Sequence, residues 1–477
     1  MKAEIFQDVA NLPTIMVIFG ATGDLTNRKL IPALYNLDRQ GLLPDTFQII
    51  AFARKNLTTK EFCEYSKSQI SKYKVAQIED VTWKRFTRRI NYLHGDFKED
   101  QAYSHLAKEL NKIDSDLGVC THKIFYLAIS PDLYERVFQG IGHTRLNQIC
   151  QNLKDTRVVI EKPFGRNLDS FLKLNAQVSS VFAEEQIYRI DHFLGKETVQ
   201  NILYFKAGNP VFMSDWSESR IDTIDIVMHE TLGVEDRAAY YDSYGQLRDM
   251  IQSHMLQLAA LILAEIPESM DASTISKNKE EVLNSIYIEN IKRDVHRAQY
   301  SEGVVEGKLV NAYAEEKGVK TNSITETYVR IKAKVKGGKW HGLKINLETG
   351  KRMPEKKTEI RLHYKSAEPT KGLVGKNCLI FRLQPSEGIS LEMQVKKPNN
   401  AKLETVTMNF DYDRSFREIL PDAYEKILLD VIRMSKNLFP SAAELEASWK
   451  FTDMIVDEWR NDNIEIAKYP AGTLVIN

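Results

Sequence analysis

Short, almost wholly apolar runs alternate with helical patterns over the first third of the chain. The run Thr14-Ile15-Met16-Val17-Ile18-Phe19 predicts a buried strand ending at Gly20. Arg28 to Gln40 has helical spacing in Leu30, Leu34 and Leu37 and stops near Gly41. Gln48 to Ala53, Lys123 to Ile129 and Arg157 to Ile160 predict three further strands. Strands this apolar, separated by helices, imply a parallel sheet covered on both faces.

From about residue 200 the rhythm changes. Ile221 to Met228 alternates apolar with polar, as half-buried antiparallel strands do. Thr327 to Val335, Thr358 to Tyr364 and Leu379 to Leu383 read similarly. Leu247 to Ala264 predicts a long helix, apolar on nearly every side after Met255, which must be buried. Glu302 to Lys320 and Ser366 to Gly375 read as surface loops. The fold class is therefore an α/β Rossmann-like dinucleotide-binding domain plus a larger α+β domain with a mainly antiparallel sheet. The border is expected at residues 190/191, giving domains 1–190 and 191–477.

A chain of 477 residues is too long for one ordinary domain. Lys+Arg and Asp+Glu each number 65. That balance argues against a generic nucleic-acid or anionic-membrane binder, although a local basic pocket remains open. No run approaches the length of a membrane span, and Met1 to Pro13 lacks the core of a signal peptide. Cys63, Cys120, Cys150 and Cys378 are scattered, so reduced thiols and a cytoplasmic setting are expected. The histidines show no metal-ligand spacing, and no structural metal is expected.

Chemistry concentrates in five places. Gly20-Ala21-Thr22-Gly23-Asp24-Leu25 follows the first strand and opens the first helix, where glycines let backbone N–H groups approach a pyrophosphate. The second strand ends in Ala53-Arg54-Lys55 with no carboxylate to accept from a ribose 2′-hydroxyl. An arginine there suits a 2′-phosphate, predicting NADP rather than NAD. Glu161-Lys162-Pro163-Phe164-Gly165 follows a later strand and directs Lys162 toward the crevice at the strand C-termini. Arg189-Ile190-Asp191-His192-Phe193-Leu194-Gly195-Lys196-Glu197 sets a carboxylate, an imidazole and an ammonium in a mostly apolar stretch, costly to bury unless paired or used. His192 and Lys196 suit a phosphate dianion. On the long helix, Asp249 and His254 lie five positions apart, about 140° around an ideal α-helix. They reach one ligand only if it spans the helix face or the helix is irregular.

Together these residues resemble the glucose-6-phosphate dehydrogenase family. The nucleotide turn, E-K-P-F-G and R-I-D-H-F-L-G-K-E occur in the family's order and rough spacing. Tyr240-Tyr241-Asp242, Leu247-Arg248-Asp249-Met250 running on to His254, Thr325-Glu326-Thr327-Tyr328, Gly350-Lys351-Arg352, Leu420-Pro421-Asp422-Ala423 and Tyr469-Pro470-Ala471-Gly472 continue the match over nearly the whole chain.

The resemblance implies oxidation of β-D-glucose 6-phosphate at C1 to the 6-phosphogluconolactone, the first oxidative step of the pentose phosphate pathway, with hydride passing to NADP. It casts His254 as the base for the C1 hydroxyl proton and Asp191 as the acid that holds that imidazole. His192 and Lys196 would take the phosphate, with Glu230, Asp249, Lys351, Lys356 and Gln384 on the sugar. Gly20, Ala21, Thr22, Gly23, Asp24, Leu25, Arg54 and Tyr126 would meet the cofactor. Lys162 would bridge sugar and nicotinamide, with Lys29 nearby, and Pro163 matches a proline the family holds cis. A homodimer or homotetramer, formed through the sheet of the larger domain, is implied as well. Three departures stand out: Phe193 where many members have tyrosine, Lys356 where some have arginine, and Thr26-Asn27 in the turn. The alternative is a dehydrogenase of the same architecture for another sugar or sugar phosphate.

Overall fold

The computed structural model describes residues 12–73, 76–148, 155–366, 375–399, 402–417, 421–461 and 466–474. The chain divides into two compact units, Met1–Lys196 with Pro421–Ala442, and Glu197–Leu420 with Ala443–Asn477.

The first unit is built on six parallel strands: β1 Thr14–Phe19, β2 Gln48–Ala53, β3 Ile90–His94, β4 His122–Leu127, β5 Thr156–Ile160 and β6 Ile187–Arg189. Their order is β3-β2-β1-β4-β5-β6, the arrangement of a dinucleotide-binding Rossmann sheet, whose crevice lies beyond the strand C-termini. Every residue of β1 is buried, as its unbroken apolar run requires of a central strand.

The return of Pro421–Ala442 to this unit corrects the continuous division at 190/191. Helix Ala423–Ile432 contributes Ile427, Leu428, Val431 and Ile432 to the same core as Leu30, Leu34 and Ile49. Buried Arg157 donates to the carbonyls of Val431 and Ile432 at 2.7 and 3.1 Å, a cation at a helix C-terminus. No local pattern announces such a contact, because its partners are far apart in the chain.

In the second unit a ten-stranded sheet runs in the order Leu403–Asp411, Gly388–Lys396, Cys378–Gln384, Lys357–Tyr364, Ile221–His229, Lys344–Gly350, Tyr328–Val335, Val295–Ser301, Ala467–Pro470, with Ile286–Tyr287 beside Tyr328–Val335. Pairing is antiparallel except between Ile221–His229 and Lys344–Gly350 and between Val295–Ser301 and Ala467–Pro470. Helix Leu256–Leu263 is buried throughout, and its end is capped from elsewhere. Lys206 Nζ donates to the carbonyls of Leu261 and Ile262 at 3.0 and 2.9 Å and to that of Ala264, while Trp216 and Trp340 donate to Ile262 and Leu263. These bonds satisfy carbonyls that a buried helix end otherwise leaves orphaned.

Two expectations need correction. The segment 302–320 is not a bare loop: Gly303–Val305 and Lys308–Val310 form a hairpin, and Tyr313 is fully buried with its hydroxyl 3.0 Å from Asp242 Oδ1. Cys63 and Cys378 are free, but Cys120 is disulfide-bonded; close approach of thiols is a tertiary fact that spacing does not encode. The expected loop at 366–375 lies for the most part outside the described residues. Among the described residues no helix is long and apolar enough to cross a membrane.

Candidate active site

In the first unit, the sequence-predicted residues gather beyond the C-termini of the parallel strands. Gly20 follows β1 with φ +85°, and a Cβ there would lie 2.4 Å from the Ala128 carbonyl oxygen, so only glycine fits the turn. Gly23 N–H closes the turn on the Gly20 carbonyl at 2.8 Å. The pair Thr26-Asn27, a departure from the family pattern, is buried and braces this loop. Asn27 Nδ2 donates to the Gly23 carbonyl at 2.8 Å, Asn27 Oδ1 accepts from Ser66 Oγ at 3.0 Å, and Thr26 Oγ1 donates to the Gly20 carbonyl at 3.2 Å. The helical segment after the turn begins with a π-turn, Thr26–Leu30, before α-helix Ile31–Arg39.

Arg54 is exposed at the end of β2, beside Lys55. Lys29 pairs with Asp422 at 3.1 Å and lies 5.7 Å from the Tyr424 ring centre. Tyr126 is fully buried in β4, and its hydroxyl donates to Glu161 Oε1 at 2.5 Å, so that group is turned to Glu161. Desolvation, together with the charge of Asp191, pushes the Glu161 carboxyl up to about 7, against hydrogen bonds from Tyr126 and Tyr424 that favour its ionised form. The Lys162–Pro163 bond is cis.

Asp191 is buried, and its Oδ1 accepts the Phe193 N–H at 2.9 Å, a short Asx turn that fixes the carboxylate. Phe193 is covered, with its ring centre 5.1 Å from that of exposed His192 and 4.7 Å from Lys196 Nζ. The phenylalanine ring thus contacts both proposed phosphate ligands, with the ammonium over its face.

In the second unit, sheet register brings distant residues to one end. His229 stands opposite Gly350 on one side and Lys357 on the other, and Thr358 opposite Gln384. Glu230, Lys351, Lys356 and Gln384 therefore share that sheet end. Lys351 Nζ and Glu230 Oε2 are 2.8 Å apart, with Lys351 5.2 Å from the Tyr241 ring centre. Gln384 Nε2 donates to Thr358 Oγ1 at 2.9 Å, and Lys356 is exposed.

Asp249 and His254 lie on Leu247–Met255, which is a π-helix, continued by the α-helix from Leu256. Its closing bond runs from Leu256 N–H to the carbonyl five residues back, at Ile251. Bonds of this i→i+5 kind place residues five apart about one turn from each other. Of the two alternatives left open by the spacing of Asp249 and His254, the helix is irregular here, and i→i+5 bonding brings the two toward one face. His254 is buried, and Asp249 is half-buried. Asp249 also acts on the Tyr241 hydroxyl, which burial, chiefly, holds well above its ordinary value.

Tyr241, Glu161 and Asp422 were not singled out as site residues by sequence reasoning. Each lies within or beside a quoted motif, which was the available signal.

A Rossmann sheet with a glycine turn after β1, coupled to a second unit that gathers acids, a lysine and a histidine at one sheet end, defines a nicotinamide-dinucleotide-binding oxidoreductase. Comparison with known proteins narrows this. Residues 17–201 match the family described as Glucose-6-phosphate dehydrogenase, NAD binding domain, and residues 203–475 match Glucose-6-phosphate dehydrogenase, C-terminal domain. The chain belongs to the glucose-6-phosphate dehydrogenase family. It is 37% identical to a glucose-6-phosphate 1-dehydrogenase of Chlamydia muridarum (97% of this chain, 93% of that protein). It is 38% identical to one of Treponema pallidum (97% and 92%). A solved glucose-6-phosphate dehydrogenase in complex with its substrate glucose 6-phosphate superposes with a TM-score of 0.90 at 30% identity, covering 99% of this chain and 97% of that one.

Proposed function

We propose that this protein oxidises β-D-glucose 6-phosphate at C1 to 6-phosphoglucono-1,5-lactone, transferring hydride to NADP. The observation that carries this reading is family membership over both units. The cofactor, when bound, supplies the hydride acceptor. The glycine turn at Gly20–Leu25 fits a pyrophosphate, and Arg54, with no acid beside it, fits a 2′-phosphate.

In this reading His254 takes the proton of the C1 hydroxyl as hydride leaves, preventing charge from accumulating on the oxocarbenium-like carbon. Asp191 orients and charge-stabilises the imidazole. His192 and Lys196 hold the phosphate, and Glu230, Asp249, Lys351, Lys356 and Gln384 hold the sugar hydroxyls or phosphate. Lys162 bridges sugar and nicotinamide. Assembly as a homodimer or homotetramer through the large sheet, and a cytoplasmic setting, belong to the same reading.

An initial-rate assay with glucose 6-phosphate, glucose and galactose 6-phosphate, run with each nicotinamide cofactor, tests the assignment. Glucose 6-phosphate with NADP is expected to give the highest kcat/KM. Arg54→Ala is expected to raise KM for NADP on the order of ten- to hundred-fold, the loss of a charge-assisted contact, and to leave NAD almost unaffected. Equal effects on both cofactors would defeat the 2′-phosphate assignment.

Glu161 gives a pH signature. Its folded-state value of about 7 lies above the ordinary 4.5, so its contribution to stability is fully present below 4.5 and is lost as pH rises through 7. Glu161→Gln removes that dependence. Relative to the unsubstituted protein, the variant is expected to gain on the order of 1 kcal/mol between pH 5 and pH 8. Urea unfolding midpoints across that range provide the measurement, and a constant gap between the two proteins would refute it.

A further inference from the structure

The π-helix bearing Asp249 and His254 starts without a cap of its own. Gln246 precedes it and offers no side-chain bond to the helix. Glu326, from the segment leading into strand Tyr328–Val335, supplies what is missing. Its Oε1 accepts the N–H of Leu247, the first π-helical residue, at 3.0 Å, and its carbonyl accepts the Gln246 N–H at 3.1 Å. Glu326 is buried. Burial pushes its carboxyl above the ordinary value, while the Leu247 N–H and the charges of Arg248 and Arg297 pull it down.

The neighbourhood is shaped around this carboxylate. Gly245 has φ +78°, and a Cβ there would lie 2.4 Å from Glu326 Oε1. The grip is also tied to the sheet end that carries Glu230 and Lys351. Gln246 Nε2 donates to Thr349 Oγ1 at 2.7 Å, which donates in turn to the Met228 carbonyl at 2.8 Å. Tyr241 donates to Gln246 Oε1 at 2.6 Å. A buried carboxylate is costly and is retained only where it is used. A π-helix is a rare geometry that needs support. Here the two coincide at one backbone N–H.

We infer that Glu326 is a positioning residue: by holding the Leu247 N–H it sets the rotational phase in which the π-helix presents Asp249 and His254. This rests on the assignment of His254 as the base. A shift of about 1 Å in a reacting group costs on the order of a hundred-fold in rate, so a modest rotation at the start of this helix reaches the chemistry.

Three variants test the inference by steady-state kinetics with glucose 6-phosphate. Glu326→Asp keeps the charge but shortens the reach by one methylene, and is expected to lower kcat about ten-fold or more. Glu326→Gln keeps an oxygen acceptor at the same distance, and is expected to restore kcat to within about three-fold, since a neutral acceptor still takes an N–H. In a His254→Asn background, Glu326→Asp is expected to lower the residual kcat less than about two-fold, because residues acting as a unit are not additive. Full turnover in a folded Glu326→Asp enzyme, or the same proportional loss in both backgrounds, would overturn the positioning role. Unchanged turnover in His254→Asn alone would overturn the base assignment and this inference with it, a failure distinct from the other two.

Discussion

Replacing His254 by asparagine is expected to lower kcat for glucose 6-phosphate oxidation at least about a hundred-fold, the usual scale of a lost general base, with KM for the sugar phosphate kept within a few-fold. The substitution suits the site. His254 is 2% exposed on a π-helix, so a residue of smaller volume that keeps one polar nitrogen disturbs packing little. An asparagine amide does not take up a proton near neutral pH, so the C1 hydroxyl proton must leave to water or to a poorer acceptor. In the proposed mechanism substrate binding rests on other residues, so the loss belongs in kcat. Steady-state kinetics beside a circular dichroism spectrum provide the check. Turnover equal to that of the unsubstituted enzyme would remove His254 from the mechanism.

The second large effect concerns stability. Lys279 and Glu444 form an ion pair at 2.7 Å between helices Ala272–Ser285 and Ala442–Asn461, with side chains 1% and 0% exposed. Ser276 Oγ adds a hydrogen bond to Glu444 Oε1 at 2.6 Å. Desolvating two charges offsets much of their attraction, so the pair as a whole stabilises little. Breaking it is another matter. Lys279→Met leaves a buried carboxylate without its countercharge and is expected to cost about 3–5 kcal/mol. The double variant Lys279→Met/Glu444→Met removes both charges and is expected to recover most of that loss. Urea unfolding of the unsubstituted protein, the single variants Lys279→Met and Glu444→Met, and the double variant measures the coupling. Losses from the two single changes that simply add in the double variant would show that the two charges are not coupled.

Legibility differed between the two units for a physical reason. The strands Thr14–Phe19 and Gln48–Ala53 were read to the residue, because a strand covered on both faces must be continuously apolar. Strand Ile187–Arg189 ends in an arginine and is only three residues long, too short to impose a period. Segment 302–320 looked polar enough for a loop, yet folds a hairpin and buries Tyr313, whose hydroxyl finds Asp242 across a long stretch of chain. Apolar periodicity announced burial of Leu247 to Ala264 but not its π-helical first half. Side-chain pattern reports which faces are apolar and does not distinguish i→i+5 from i→i+4 bonding.

Among the candidate site residues, the phosphate-side motif and the nucleotide turn were visible because their atoms come from consecutive positions, where spacing alone limits geometry. The sugar-side set was not. Glu230, Lys351, Lys356 and Gln384 meet only through strand register, and no local pattern records which strands pair. Their positions came from resemblance to a family.

By itself, the order of apolar and polar residues determined two units of different architecture, a glycine turn after the first strand, and the identity of the groups available for catalysis. Those follow from local rules: period, turn conformation, and the chemistry of each side chain. The tertiary structure decided the rest. It returned Pro421–Ala442 to the first unit, widened the helix under Asp249 and His254, and assigned Glu326 to its first N–H. Such outcomes depend on which buried polar group finds which partner, and in a folded chain those partners are chosen by packing rather than by proximity in sequence.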